Sequence, residues 1–392
     1  MAKDLSRVSH SEFSPAEFSS KDDIAMMRVA LSLARRSLGR AWPNPSVGAV
    51  IWRPTPAGPR VIARAVTAAG GRPHAETEAL LQAGEAARGA FMSVTLEPCS
   101  HHGKTPPCAA SLIKAGIARV VSALEDPDPR VTGRGHGLLR QAGIEVVFGI
   151  EGRAAFLSHI GHIRRVTQNR PAVLLKLART QDGFAAANDA QRLTITGPIG
   201  SARVHIERAE ADAIMVGIGT VLADDPLLTC RLPGMAARSP LRIVLDTQAR
   251  LPLDTQLVKT AGQVPLWLVV GEGADPARLD GLRARGVEII PVGYAGGAGD
   301  GHLDLRQALA ALAGRGITRI MSEGGPNIAD ALAQAGLVDE VTLITHQSPL
   351  GRSGLRAVGP HLQALIDDRT QFEVLPAERY GEDQIVHYAR LD

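Results

Sequence analysis

Cysteine is scarce in this 392-residue chain: there are three, Cys99, Cys108 and Cys230. An odd trio argues against a disulfide framework and for a reducing compartment, the cytoplasm. Aromatics make up only 3% of the sequence and no run of five or six basic residues occurs. The chain therefore offers neither a stacking platform nor a phosphate-tracking stripe for nucleic acid. No stretch approaches the ~20 apolar residues that cross a bilayer, so no membrane partner is expected. Residues 1–20 lack the apolar centre of a signal peptide and read as a disordered tail. An excess of one charge is missing too: 43 basic against 40 acidic side chains leave +3, and a 45% hydrophobic fraction excludes a disordered chain. No sequence period of about 20–50 residues repeats, which removes solenoids.

What is present is a globular sequence long enough for two domains. Asp22 and Asp23 precede the apolar-periodic Ile24, Met27, Leu31, Ala34 and Leu38, ended by Gly39, which predicts an amphipathic helix with acids at its positive end. Strands expected at 47–52, 91–96, 119–123 and 144–148 alternate with helices at 75–83, 107–115 and 134–141, predicting a largely parallel sheet under helices. Residues 151–170 hold charges and few apolar residues in register before Pro171, which places a domain boundary there. A second α/β set follows, with strands at 172–177, 213–216, 242–245, 266–270, 287–290, 319–322 and 341–345, and helices at 201–210, 305–312 and 327–334. Glycine-rich 293–301 reads as a loop. The expected domains are 21–155 and 170–392, both α/β.

The first half carries a metal-ligand pattern. His74 opens a helix, Cys99 follows a strand, and Cys108 lies nine positions on. One imidazole and two thiolates make a three-ligand zinc set, one ion per chain, with the fourth tetrahedral position left to water. Eight residues separate the thiols, and Gly103 with Pro106-Pro107 can turn the loop back so that both reach one ion. Glu76, two residues after His74, is placed to take a proton from water and hand it to departing ammonia. H-x-E followed by P-C and a second cysteine is the pattern of zinc deaminases acting on nucleobase-like rings. His101, His102 and Lys104 in the same loop are either solvated or line a substrate pocket, where Lys104 would meet a phosphate as a point charge.

These residues carry a resemblance. Pro43-Asn44-Pro45 with Val47-Gly48, Gly71-Arg72-Pro73-His74-Ala75-Glu76, the run from Thr95 to Cys108 and Asp126-Pro127-Asp128-Pro129 resemble the deaminase half of the bifunctional riboflavin-biosynthesis deaminase/reductase family. The resemblance implies a cytidine-deaminase-like three-layer domain that removes an exocyclic amine from a phosphoribosylaminated diaminopyrimidinone. By match, Asn44, His101 and Lys104 would contact that substrate. The chain departs from the family at Ala63-Arg64-Ala65-Val66-Thr67, where Thr67 stands in the place of a substrate-contacting histidine.

In the second half, Ser322-Glu323-Gly324-Gly325-Pro326-Asn327 turns a strand into a helix, a place where free backbone N–H groups bind phosphate. Gly217-Ile218-Gly219-Thr220 follows another strand. Two ordinary tight turns would read the same way, so both readings stay open here. Lys176-Leu177-Ala178, Asp182-Gly183, Ile195-Thr196-Gly197-Pro198, Thr220 to Thr229, Arg242 to Asp246 and Glu323 to Pro326 are similar to the family's reductase half. This implies a dihydrofolate-reductase-like α/β domain that uses NADPH to open the ribosyl group into a ribityl chain. By match, Ala178, Thr220, Asp224, Thr247, Gly325, Pro326, Asn327, Ile328, Ala329, Asp330 and Ala331 would contact the cofactor, and Arg208, Leu228, Arg231 and Glu323 the substrate. Guanidinium forks at Arg208 and Arg231 suit a 5′-phosphate. Departures fall at Thr180-Gln181-Asp182-Gly183-Phe184, where the family has arginine last, and at Arg192-Leu193-Thr194. Cys230 reads as a buried packing thiol. The family also implies an association of like chains.

Two other readings compete. A nucleic-acid base deaminase with an unrelated C-terminal domain would need a basic groove lined with aromatics. A regulatory protein with structural zinc that senses a dinucleotide would need a fourth protein ligand, most simply His101 or His102.

Overall fold

The computed structural model describes residues 21–101, 106–187, 193–297 and 301–392. They divide after Gln168 into two compact units.

The first unit holds α1 (Lys21–Arg35), β1 (Gly48–Arg53), β2 (Arg60–Val66), α2 (Ala75–Ala83), β3 (Phe91–Val94), α3 (Cys108–Ala115), β4 (Arg119–Ser122), α4 (Arg134–Gln141), β5 (Glu145–Phe148) and α5 (Gly152–Gln168). The strands lie in the order β2-β1-β3-β4-β5. β3, β4 and β5 run parallel, while β1 is antiparallel to both its neighbours. The sheet is therefore mixed, where a largely parallel one was expected. The difference is β2, an edge strand in which Arg60 and Arg64 interrupt the apolar residues and so hide its hydrophobic signal.

α1 lies directly on β1. A Cβ at Gly48 would sit 2.0 Å from the Ala30 carbonyl oxygen, so only glycine lets helix and strand approach this closely. Asp23, read from sequence as a partner for the helix dipole, is fully buried and takes two hydrogen bonds from Arg119 of β4, at 2.7 and 2.9 Å. The division after Gln168 falls within residues 151–170, read as the boundary, but most of that segment is α5 of the first unit, with Ala155, His159, Ile160 and Arg164 buried. Polar residues on its inward face concealed the apolar period. The core gathers Met27, Val50, Ile51, Trp52, Met92, Leu112 and Leu139.

The second unit holds β6 (Ala172–Arg179), β7 (Phe184–Ala187), α6 (Pro198–Glu210), β8 (Ala213–Gly217), α7 (Ile218–Asp224), β9 (Leu241–Leu245), α8 (Gln256–Lys259), β10 (Leu266–Gly271), α9 (Pro276–Arg283), β11 (Glu288–Val292), α10 (Leu305–Gly314), β12 (Arg319–Ser322), α11 (Pro326–Gln334), β13 (Glu340–His346), β14 (Gly354–Arg356), α12 (Pro360–Asp367), β15 (Phe372–Val374), β16 (Glu378–Tyr380) and β17 (Asp383–Arg390). Its main sheet runs β11-β10-β9-β8-β12-β6-β13-β17-β15, with β16 also on β17. From β11 to β13 every pairing is parallel; β17 is antiparallel to β13 and β15. Continuous apolar strands such as Leu266–Gly271 suit a sheet buried on both faces. β7 and β14 form a separate two-stranded ribbon. The parallel order puts the carboxyl ends of β6, β8, β9 and β12 along one edge, where open α/β sheets bind their ligands.

Candidate functional site

In the first unit two helix starts converge. His74 is the residue before α2, and Cys108 is the first residue of α3, preceded by Pro107. The His74 Nδ1 lies 3.4 Å from the Cys108 sulfur and 3.7 Å from that of Cys99, and the three ligand atoms lie within 4.8 Å of one another. Zinc bonds of about 2.0 Å to nitrogen and 2.3 Å to sulfur at a tetrahedral angle would separate N and S by about 3.6 Å. The donor set and its spacing fit zinc. The Cys108 amide donates to the Cys99 sulfur at 3.3 Å, so the helix start also favours a thiolate. The contact with Cys108 holds the Cys99 thiol down at about 4, while the same contact and burial push Cys108 up.

Glu76, in the first turn of α2, is only 4% exposed, and burial pushes its carboxyl up to about 7. Asn44 anchors the turn leading to His74, its Nδ2 donating to the Gly71 carbonyl at 2.7 Å. The Nδ1 of His101 is buried without a hydrogen-bond partner among the described residues, and His101 stands outside the metal-ligand cluster. Lys104 and His102 lie outside the described residues. Thr67 is buried and structural: its hydroxyl accepts the Val47 amide at 3.0 Å and its carbonyl accepts from Ser37. Thr77, one residue past Glu76 and 4.0 Å from the Cys108 sulfur, escaped the sequence reading because a helical threonine carries no signal of its own.

In the second unit, segments far apart in sequence meet at the carboxyl edge of the sheet. Ala178 is the penultimate residue of β6, Thr220 lies in α7 just past β8, Thr247 follows β9, and Gly325 caps α11 just past β12. The two glycine turns left open above are one structure. Added Cβ atoms at Gly217 and Gly324 would each lie 3.1 Å from the side chain of Ile328, so both turns close on the same residue. The start of α11 leaves backbone N–H groups free to face an anion. Thr247 lines a cavity of about 480 Å³ with Gln248, Gly273, Ala274, Asp275, Tyr294 and Gly301.

Pro326, Asn327, Ile328 and Ala331 lie in the first turns of α11, whereas Ala329 is buried and Asp330 is committed elsewhere. The Asp330 carboxylate accepts the Leu362 amide of α12 at 2.9 Å and faces His361 at 2.8 Å. Asp224, at the end of α7, is exposed. Leu228 is buried with φ +53°. Arg231 is exposed, and Cys230 is buried as expected. The guanidinium of Arg208, read as a phosphate fork, is already engaged: Nε and Nη2 donate to Glu323 at 2.6 and 2.8 Å, and Nη1 to the Thr229 carbonyl at 2.9 Å. Phe184 lies under the Arg356 guanidinium, 4.5 Å from its ring centre, through the β7–β14 ladder. Arg192 lies outside the described residues. The sequence reading also passed over Asp383, which is fully buried, accepts the Gly197 amide at the start of α6 at 2.8 Å and faces His346 at 2.8 Å.

Comparison with known proteins places each unit. Residues 20–124 match the cytidine and deoxycytidylate deaminase zinc-binding region, and residues 171–386 match the RibD C-terminal domain. The chain is 37% identical to the riboflavin biosynthesis protein RibD of Escherichia coli over 94% of this chain and 99% of that protein. It is 36% identical to the Actinobacillus pleuropneumoniae protein of the same name over 95% and 96%. Among solved structures, Acinetobacter baumannii RibD superposes with a TM-score of 0.80 at 32% identity, covering 95% of this chain and 99% of that one. A Thermotoga maritima diaminohydroxyphosphoribosylaminopyrimidine deaminase/5-amino-6-(5-phosphoribosylamino)uracil reductase follows at 0.77 and 31%, covering 94% and 98%.

Proposed function

The chain belongs to the RibD family, the bifunctional deaminase/reductases of riboflavin biosynthesis, and on that premise we propose which residues perform each reaction. The substrate of the first is a 2,5-diamino-6-ribosylamino-pyrimidinone 5′-phosphate, and the observation that carries the reading is the His74, Cys99 and Cys108 cluster with Glu76 buried beside it.

His74, Cys99 and Cys108 would hold a zinc ion, whose Lewis acidity would make hydroxide available from water near neutral pH. Glu76 accepts a proton as water adds to the amine-bearing ring carbon, then returns it to the nitrogen that leaves as ammonia. Burial keeps that carboxyl able to do both at one pH. Asn44, His101 and Lys104 orient the substrate, Lys104 through its phosphate.

In the second unit NADPH, when bound, would supply the hydride that reduces the ribosyl carbon, the ring oxygen taking a proton from water as the ribityl chain opens. The start of α11, Gly325–Ala331, holds the cofactor through its backbone, together with Ala178, Thr220, Asp224 and Thr247. Support comes from the way the parallel sheet gathers these segments at its carboxyl edge. Asp330 contributes main chain only, because its carboxylate is tied to α12. Leu228, Arg231 and Glu323 face the substrate, with Arg208 fixing Glu323 in place; Arg231 is the arginine that meets the phosphate. The three free cysteines fit a cytoplasmic setting, and no described helix is long and apolar enough to cross a membrane.

Purified protein given zinc, NADPH and the diaminopyrimidinone phosphate should release ammonia and then consume NADPH one for one. Ammonia release without NADPH oxidation would leave the second half unassigned. Absence of both ammonia release and NADPH oxidation would sink the reading. A structural-zinc sensor would need a fourth protein ligand; among the described residues His101 is not in the cluster, and His102 lies outside those residues.

A further inference from the structure

A second group of ligand atoms lies in the first unit, outside the zinc cluster. Carboxylate oxygens of Glu97 and Glu125 and an imidazole nitrogen of His136 lie within 4.8 Å of one another. Glu97 and His136 are 3% and 1% exposed, and Glu125 is open to solvent.

Three observations favour a cation at this place. First, two carboxylates are held close together, and among the described residues neither Glu97 nor Glu125 has a basic side chain in ion-pair contact. Such a pair repels unless a proton or a cation lies between its members. Second, the His136 Nε2 is 2.7 Å from the Ser122 hydroxyl, while Nδ1 is buried with no hydrogen-bond partner among the described residues. A buried polar nitrogen without a partner calls for one. A metal-binding histidine characteristically spends its other nitrogen on an orienting neighbour, the part that Ser122 plays here. Third, the frame is rigid. Glu97 accepts the amides of Asp126, Gly133 and His136 at 3.2, 3.0 and 3.1 Å, which fixes its carboxylate and leaves acceptor capacity unused. Phe148 stacks on the imidazole at 5.8 Å and covers its face.

We propose that Glu97, Glu125 and His136 form a second divalent-cation site, distinct from the zinc cluster and open to solvent on the Glu125 side. One imidazole and two carboxylates suit a borderline ion such as Zn²⁺, Co²⁺ or Mn²⁺, with water completing the shell. A cation there would brace the start of α4 and the segment from Asp126 to Gly133 against Glu97, two residues before Cys99. The proposal does not depend on which reaction the protein catalyses.

The test uses Co²⁺ on the metal-stripped full-length chain. The first equivalent at the thiolate site brings an intense sulfur-to-cobalt absorption. The second should bind without adding to that band, seen by calorimetry and by elemental analysis after desalting. Because Glu125 is exposed, Glu125→Ala should fold normally and keep the thiolate band while binding the second equivalent at least about tenfold more weakly. Wild-type protein that takes up only one equivalent overturns the proposal. So does a Glu125→Ala protein that binds two equivalents as tightly as wild type, because the second ion would then lie elsewhere.

Discussion

Arg208 grips Glu323 through two hydrogen bonds of 2.6 and 2.8 Å, with both side chains only 11% exposed. Burial alone would push the Glu323 carboxyl up, and the guanidinium overrides that and holds it below its usual value. The pair therefore presents an ionised carboxylate of fixed orientation to whatever binds beside it. Glu323→Gln should cut reductase kcat/KM at least tenfold. It should also destabilise the second unit by about 3 kcal/mol, because a buried guanidinium loses its charge partner. NADPH oxidation and denaturant unfolding measure the two effects, and a variant unchanged in both would contradict this role.

Gly48 and Ala30 make a second close relationship. A methyl group at position 48 would meet the Ala30 carbonyl oxygen at 2.0 Å, and a helix backbone has little room to yield. Gly48→Ala should lower the stability of the first unit by about 3 kcal/mol or more. The midpoint of urea unfolding reads this directly, and a midpoint equal to wild type would show that α1 is free to shift.

His159 gives a pH dependence of known sign. It is 1% exposed, with Nε2 3.0 Å from the Thr95 hydroxyl, and burial pushes its imidazole down to about 3. An unfolded histidine titrates near 6.5, so between about pH 6.5 and 3 the unfolded chain binds a proton that the folded chain refuses. Stability from this group is complete above pH 6.5 and falls as the pH drops, by at most about 1.4 kcal/mol per pH unit. His159→Gln should flatten the stability profile of the first unit between pH 6 and 4 by about that slope. Parallel profiles for the two proteins would place the acid sensitivity elsewhere.

Cys108→Ala should empty the zinc site while the NADPH-dependent half keeps its activity on deaminated substrate. The sulfur-to-cobalt absorption of the Co²⁺-loaded protein reads occupancy of the thiolate site, and a band as intense as wild type in that variant would strike Cys108 from the ligand set.

Much of this was legible in the sequence wherever local chemistry and fold agree. The His74-Ala75-Glu76 turn and the Cys99 to Cys108 loop announce a metal because their residue types have few other uses together. The parallel strands of the second unit stand out as short apolar runs. What stayed hidden was set by tertiary partners. β2 and α5 carry arginine and histidine on faces that the fold partly buries, so their periods are blurred. Three-residue strands such as Gly354–Arg356 and Phe372–Val374 are too short to show a period at all. Arg208 reads as a phosphate ligand until Glu323, 115 residues away, is found in its fork. Asp383 and His346 are likewise paired only by the β13–β17 register.

Glu76→Gln puts the central claim to its most direct test, because amide and carboxylate have the same shape and only one can carry a proton. Assayed side by side with wild type for bound zinc and for ammonia released from the diaminopyrimidinone phosphate, the variant should hold as much zinc as wild type. Its ammonia release should fall by at least about a hundredfold. Zinc retained with ammonia release near the wild-type rate would contradict the account, because the proton would then be travelling by another group.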